Sequence, residues 1–114
     1  MTVRPAAAVL LLIAVAGAAA LFGWRRSGAA PDLSRWDAPI EAAAKEFGLD
    51  ANLLRGLMAA ESGGRSEVVS HAGAVGLLQL MPATAEAEAA RLRIPDFTPA
   101  RLTEGALNVR LGAS

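Results

Sequence analysis

The sequence contains no cysteine, so no disulfide staples the fold, and that absence leaves the cellular compartment undecided. A single histidine, His71, and no clustered ligand pattern leave no metal site to assign. Lys plus Arg number 11 and Asp plus Glu number 11, so there is no net field to recruit nucleic acid. What the chain does have is apolar side chain. At 114 residues and 54% hydrophobic, it has room for one small domain with a modest core and a membrane element.

The membrane element is expected at residues 6–24, AAAVLLLIAVAGAAALFGW, which carry no charge and are flanked by Arg4 on one side and Arg25 and Arg26 on the other. That length fits a single spanning helix or an export signal. Trp24 beside two arginines suits an interfacial anchor. Charges on the two flanks nearly balance, so they do not fix the orientation. Small residues would allow cleavage after Ala29 or Ala30, but the Arg-Arg pair lies between the apolar run and those alanines, which favours an uncleaved anchor. Residues 1–26 are therefore expected to be an anchor or signal, residues 27–35 a Pro-containing linker, and residues 36–114 the folded part.

Within the folded part the helical period recurs. Trp36, Ile40, Ala43, Ala44 and Phe47 make one helical face, with Pro39 near its first turn and Gly48 ending it. Asp50 is placed to cap a second helix, with Leu49 and Leu53 or Leu54 as a hydrophobic staple. On that helix Leu54, Leu57, Met58 and Glu61 share a face, so the apolar stripe closes on a carboxylate. Periodicity alone favours the plainer interpretation, a solvated glutamate followed by Ser62, Gly63 and Gly64. Facing a wall with little water, however, the same group would have its protonated form favoured by desolvation, as a general acid requires.

Residues 63–74 hold too many Gly, Ser and charged residues for a long regular element, and Gly73 and Gly76 are expected to let the backbone approach the second helix. Ser70 and His71 are adjacent there. A Ser-His-acid catalyst needs its base oriented by a third group, which adjacency does not supply. Leu77, Leu78, Leu80 and Met81 supply apolar wall interrupted by Gln79, an amide that either faces water or pairs with a polar ligand. Pro82 opens a helix over ATAEAEAARL, and Thr103 is expected to cap a final helix in which Leu107 and Leu111 share a face.

The run ESGGRSEVVSHAGAVGLLQLMPATA resembles the signature region of the lytic transglycosylases of the goose-type lysozyme-like group, in which "ES" ends the catalytic helix and "G-x-x-G-L-x-Q-L-M-P-x-T-A" lines the sugar cleft. GLDANLLRGLMAAES is similar to the opening of the same domain. The resemblance implies an all-α, lysozyme-like transglycosylase domain over residues 36–114, preceded by the N-terminal transmembrane or signal helix. It assigns Glu61 as the catalytic acid. It assigns Ser70, Gln79, Met81 and Asn108 to the substrate side: Ser70 as an orienting hydroxyl, Gln79 as the sugar-pairing amide, Met81 as the cleft's cover, and Asn108, with Gly112, as the "N-x-x-x-G" motif supporting the cleft. It also implies an incomplete domain, since the resembled fold continues with a Tyr-Asn-Ala-Gly loop and a late tyrosine, and this sequence has no tyrosine.

Three functions follow. One is cleavage of peptidoglycan between N-acetylmuramic acid and N-acetylglucosamine with closure of a 1,6-anhydro ring, using neither cofactor nor metal. The second is lysozyme-like hydrolysis of the same bond, and the third an inactive glycan-binding or structural module. Hydrolysis ordinarily uses a pair of carboxylates, and Glu67, in the polar segment, is not set in a comparable motif. One acid favours the first. The implied partners are peptidoglycan glycan strands, the inner membrane through residues 6–24, and a cell-wall or secretion-machinery assembly. The domain is then expected in the periplasm.

Overall fold

A computed structural model describes residues 30–114. The proposed membrane segment, residues 6–24, lies outside the described residues. Among those described, no helix is long and apolar enough to cross a membrane. The elements are a 3-10 turn at Ser34–Trp36, helix α1 at Asp37–Phe47, α2 at Ala51–Ser62, α3 at Pro82–Arg91, a second 3-10 turn at Pro99–Thr103, and α4 at Gly105–Ala113.

α1 ends at Gly48, where the Leu49 N–H donates back to the Ala44 carbonyl at 2.9 Å. Asp50 caps α2 as the sequence predicts, its carboxylate accepting from the Asn52 N–H at 2.8 Å. Leu54, not Leu53, is the member of the staple that turns inward: Leu54 is fully buried while Leu53 is 46% exposed. Thr103 does not cap α4. It lies in the second 3-10 turn, where its hydroxyl donates to the Ala100 carbonyl at 3.3 Å, and Glu104 occupies the cap position without a side-chain bond.

The core gathers one stripe from each element: Ile40, Ala43 and Ala44 from α1, Leu54 and Met58 from α2, Ala85 and Ala89 from α3, Leu102, and Val109, Leu111 and Ala113 from α4. Leu77, Leu78 and Leu80 join it from the segment between α2 and α3. These three leucines therefore fill the core and do not line a cleft. The buried residues of α3 are both alanines, and two of the three on α1 are, so these helices present small side chains to the core. At the rim Arg110 of α4 grips Glu46 of α1 through two 2.9 Å bonds, holding the Glu46 carboxyl below its ordinary value. Exposed pairs of this kind contribute under about 1 kcal/mol.

Candidate active site

Glu61 sits in the last turn of α2 and is only 2% exposed. Its Oε2 is buried without a hydrogen-bond partner among the described residues. Burial alone, with no cation or donor to offset it, pushes its carboxyl from 4.5 to about 7. The solvated alternative is thereby replaced by a desolvated acid that holds its proton near neutral pH.

The chain stops the helix immediately after this residue. Gly63, at φ 63, donates to the Met58 and Ala59 carbonyls at 3.1 Å, a left-handed cap that a β-carbon would strain. Ser62, 1% exposed, bonds in both directions: its hydroxyl donates to Met58 O at 3.2 Å and accepts from the Gly64 N–H at 3.1 Å. Trp36 completes the anchor from the other side, its indole N–H donating to Gly64 O at 2.9 Å. Its ring lies so close to Gly105 that any β-carbon there would collide with it. The structural roles of Ser62 and Trp36 were not foreseen from sequence. Only the glycine at 105 hints at a flat ring opposite it, and that pairing cannot be read from spacing.

Residues 63–81 fold back on themselves by two antiparallel bridges, Val69 with Val75 and Val75 with Leu80. Ser70 closes the tip: its hydroxyl accepts from the Ala74 N–H at 3.0 Å and its own N–H donates to Ala74 O at 2.9 Å. It therefore orients the loop backbone and makes no bond to Glu61. His71 is exposed, with no acid bonded to it.

Gln79 is 1% exposed and holds a left-handed backbone at φ 51, a conformation that costs a non-glycine residue of order 1–2 kcal/mol. Its Nε2 donates to the carbonyls of Val68 and Gly76, each at 3.1 Å. Because both neighbours are acceptors, the amide nitrogen must face them, and Oε1 is turned the other way, buried and unpartnered. The amide is thus a fixed acceptor rather than a freely rotating donor and acceptor. Buried and bonded in this way, the side chain carries part of the fold. Gln79→Ala removes two hydrogen bonds and leaves a void, so urea unfolding should show a loss of about 2–3 kcal/mol. An unchanged midpoint would mean that the amide does not hold the loop.

Asn108 on α4 is fully buried, and its bonds go to backbone. Oδ1 accepts from the Leu78 N–H at 2.8 Å, and Nδ2 donates to Val75 O and Leu102 O, both at 2.9 Å. Both amide protons are spent on these carbonyls, so Asn108 holds the 75–80 loop in place. Gly76, at φ 82, fits against it with no space for a β-carbon, which would strike Asn108 Nδ2 and Leu102 O. The close approach expected of Gly76 is thus to α4 and the second 3-10 turn, not to α2. Gly73 has open space around it. Met81, at the start of α3, is 36% exposed and remains available as an apolar cover. Among the described residues no three His, Asp or Glu side chains gather as a metal site would need.

A lone desolvated acid and a fixed amide acceptor, both buried, are the features against which known proteins can be compared. The model of the Transglycosylase SLT domain matches residues 38–114. The chain belongs to this lytic transglycosylase family. It is similar to a Transglycosylase of Enterobacteria phage PRD1, 44% identical over 52 residues, which are 46% of this chain and 20% of that protein. It is similar as well to an Endo-type membrane-bound lytic murein transglycosylase A of Klebsiella pneumoniae, 46% identical over 50 residues, 44% of this chain and 25% of that protein. Among solved structures, the lytic transglycosylase Slt of Pseudomonas aeruginosa, crystallised as an inactive mutant with glutamine in place of a glutamate, superposes with a TM-score of 0.63 at 34% identity. That superposition covers 67% of this chain and 12% of that one. The all-helical lytic transglycosylase-like fold is therefore present, and the chain spans a quarter or less of the length of these relatives.

Proposed function

We propose that this chain cleaves the β-1,4 bond between N-acetylmuramic acid and N-acetylglucosamine in peptidoglycan, releasing 1,6-anhydromuramic acid. The observation that carries this is the single buried carboxyl of Glu61, without a hydrogen-bond partner and pushed up to about 7. Protonated, it gives its proton to the glycosidic oxygen as the C1–O bond breaks. The carbonyl oxygen of the muramoyl acetamido group then bonds to C1 and carries the positive charge as an oxazolinium ring. The Glu61 carboxylate next removes the proton of the C6 hydroxyl, O6 displaces the acetamido oxygen at C1, and the acid is regenerated. One group performs both transfers, which suits a pKa near the operating pH.

Gln79 Oε1, fixed and unpartnered, accepts from a sugar or acetamido donor, and Met81 covers the apolar face of a ring. Ser70 and Asn108 act at one remove by holding the loop that carries Gln79. The inactive Glu-to-Gln form of the Pseudomonas relative supports an essential glutamate. The membrane-bound name of the Klebsiella relative supports attachment to a membrane. The uncharged run at residues 6–24 supplies the attachment in this reading, at the inner membrane with the domain on the periplasmic side, where the polymer lies.

The test is digestion of purified sacculi in H₂¹⁸O, with mass analysis of the released muropeptides. Products lighter than reducing-end muropeptides by one water, and free of label, are expected. Label at C1 would make the chain a hydrolase, and glycan binding without release would make it a binding module.

A further inference from the structure

The turn leaving α2 forms, with the first 3-10 turn, a recess of about 350 Å³ lined by Arg35, Gly64, Arg65, Ser66, Glu67 and Val68. None of Glu61, Gln79 and Met81 lines it. Arg35 stacks on the Trp36 ring, 4.6 Å from its centroid, and Trp36 is pinned to Gly64 O, so the floor and one guanidinium are held together. Arg65 is fixed by its Nε, which donates to Ser62 O at 3.1 Å, leaving its terminal nitrogens for another acceptor. Among the described residues neither arginine forms an ion pair with Glu67 or with any other carboxylate. Two anchored guanidinium groups and one carboxylate therefore share a recess without neutralising one another.

We propose that this recess is a subsite for the peptide stem of peptidoglycan, with Arg35 and Arg65 receiving stem carboxylates and Glu67 a stem ammonium. The inference rests on the proposed function in taking the cell wall as the ligand. Guanidinium groups are suited to carboxylate by geometry as well as charge, whereas an uncharged glycan ring offers them hydrogen-bond acceptors but no charge to pair. The volume admits one or two amino-acid residues, at the small end of ligand sites. The recess adjoins the end of α2, the helix that carries Glu61. Arg65 lies four residues beyond Glu61, and the stem hangs from the lactyl group of the muramic acid whose C1 that acid serves. Binding a stem here would add an anchor for substituted strands that a denuded strand lacks.

Calorimetric titration of the full chain with a synthetic stem peptide carrying free carboxylates decides it. Arg35→Ala combined with Arg65→Ala should weaken binding about five- to tenfold, the scale of two exposed charge-assisted contacts. The same peptide with its carboxylates amidated should bind wild type no better than the acidic form binds the double variant. Both arginines are exposed, so unchanged circular dichroism is the check that the fold is intact. Undetectable binding of the acidic peptide, or equal affinity in the double variant, overturns the proposal. Because the titration reads binding alone, a chain that binds the peptide but releases nothing from sacculi would sink the catalytic proposal and leave this one standing.

Discussion

Glu61→Gln should lower the initial rate of muropeptide release from sacculi by about 10⁴-fold, the upper end of what general acid-base catalysis supplies, because the same carboxyl donates the first proton and accepts the second. Glutamine keeps the shape and loses only the transferable proton. The wild-type carboxylate has no hydrogen bond for the substitution to break among the described residues, so loss of rate should come without loss of fold. Glu86→Gln, on the exposed face of α3, controls for charge and should leave the rate unchanged. A Glu61→Gln chain that releases muropeptides at the wild-type rate would move the chemistry to another residue.

Gly76→Ala should be the most damaging single methyl in the domain. The position is left-handed at φ 82, and the new β-carbon would meet Asn108 Nδ2 and Leu102 O together. Backbone strain of about 1 kcal/mol, overpacking of about 1–3 kcal/mol and a weakened Asn108 network give a loss of roughly 3–5 kcal/mol. That is a large share of the roughly 5–15 kcal/mol that holds a domain together, so the melting transition should fall sharply or disappear. Asn108→Ala should cost a similar amount by leaving the Leu78 N–H and the Val75 and Leu102 carbonyls unpaired. Since that second change also removes one of the two atoms the methyl strikes, the double variant should lose less than the sum of the singles. Strict additivity, or a Gly76→Ala chain as stable as wild type, would show that the two residues do not clamp one another.

The helices were legible because their signals are local. Asp50 before a run of apolar residues at helical spacing, Gly48 and Gly63 as stops, and Pro82 at a first turn each act within a few residues, and the structure uses all four. Glu61 was legible as the odd member of an apolar stripe, although the stripe alone did not distinguish a buried acid from a solvated one. What decided that was burial in the folded chain, which no stripe encodes. The path of loop 63–81 likewise depends on bonds 11 to 33 residues apart in sequence, from Gln79 to Val68 and from Asn108 to Leu78 and Val75. No periodicity encodes such bonds. For that reason the burial of Gln79 and the commitment of its Nε2 to the backbone were not legible, nor were the bonds by which Asn108 braces the loop. Thr103 misled for a related cause: a threonine ahead of an apolar run looks like a cap, but the second 3-10 turn takes it up first.

The central claim, that burial without a partner keeps Glu61 protonated near neutral pH, is tested most directly by titrating its side-chain carboxyl carbon by NMR. The expected midpoint is about 7, with burial as its cause. Stability must follow the same curve. A carboxyl raised in the folded state stabilises fully below its unfolded value of 4.5, and that contribution is lost as pH climbs through about 7. Urea unfolding should therefore weaken by up to about 3 kcal/mol across that window in wild type and not in Glu61→Gln. A carboxyl midpoint near 4.5, with no difference between the two stability profiles, would contradict the account.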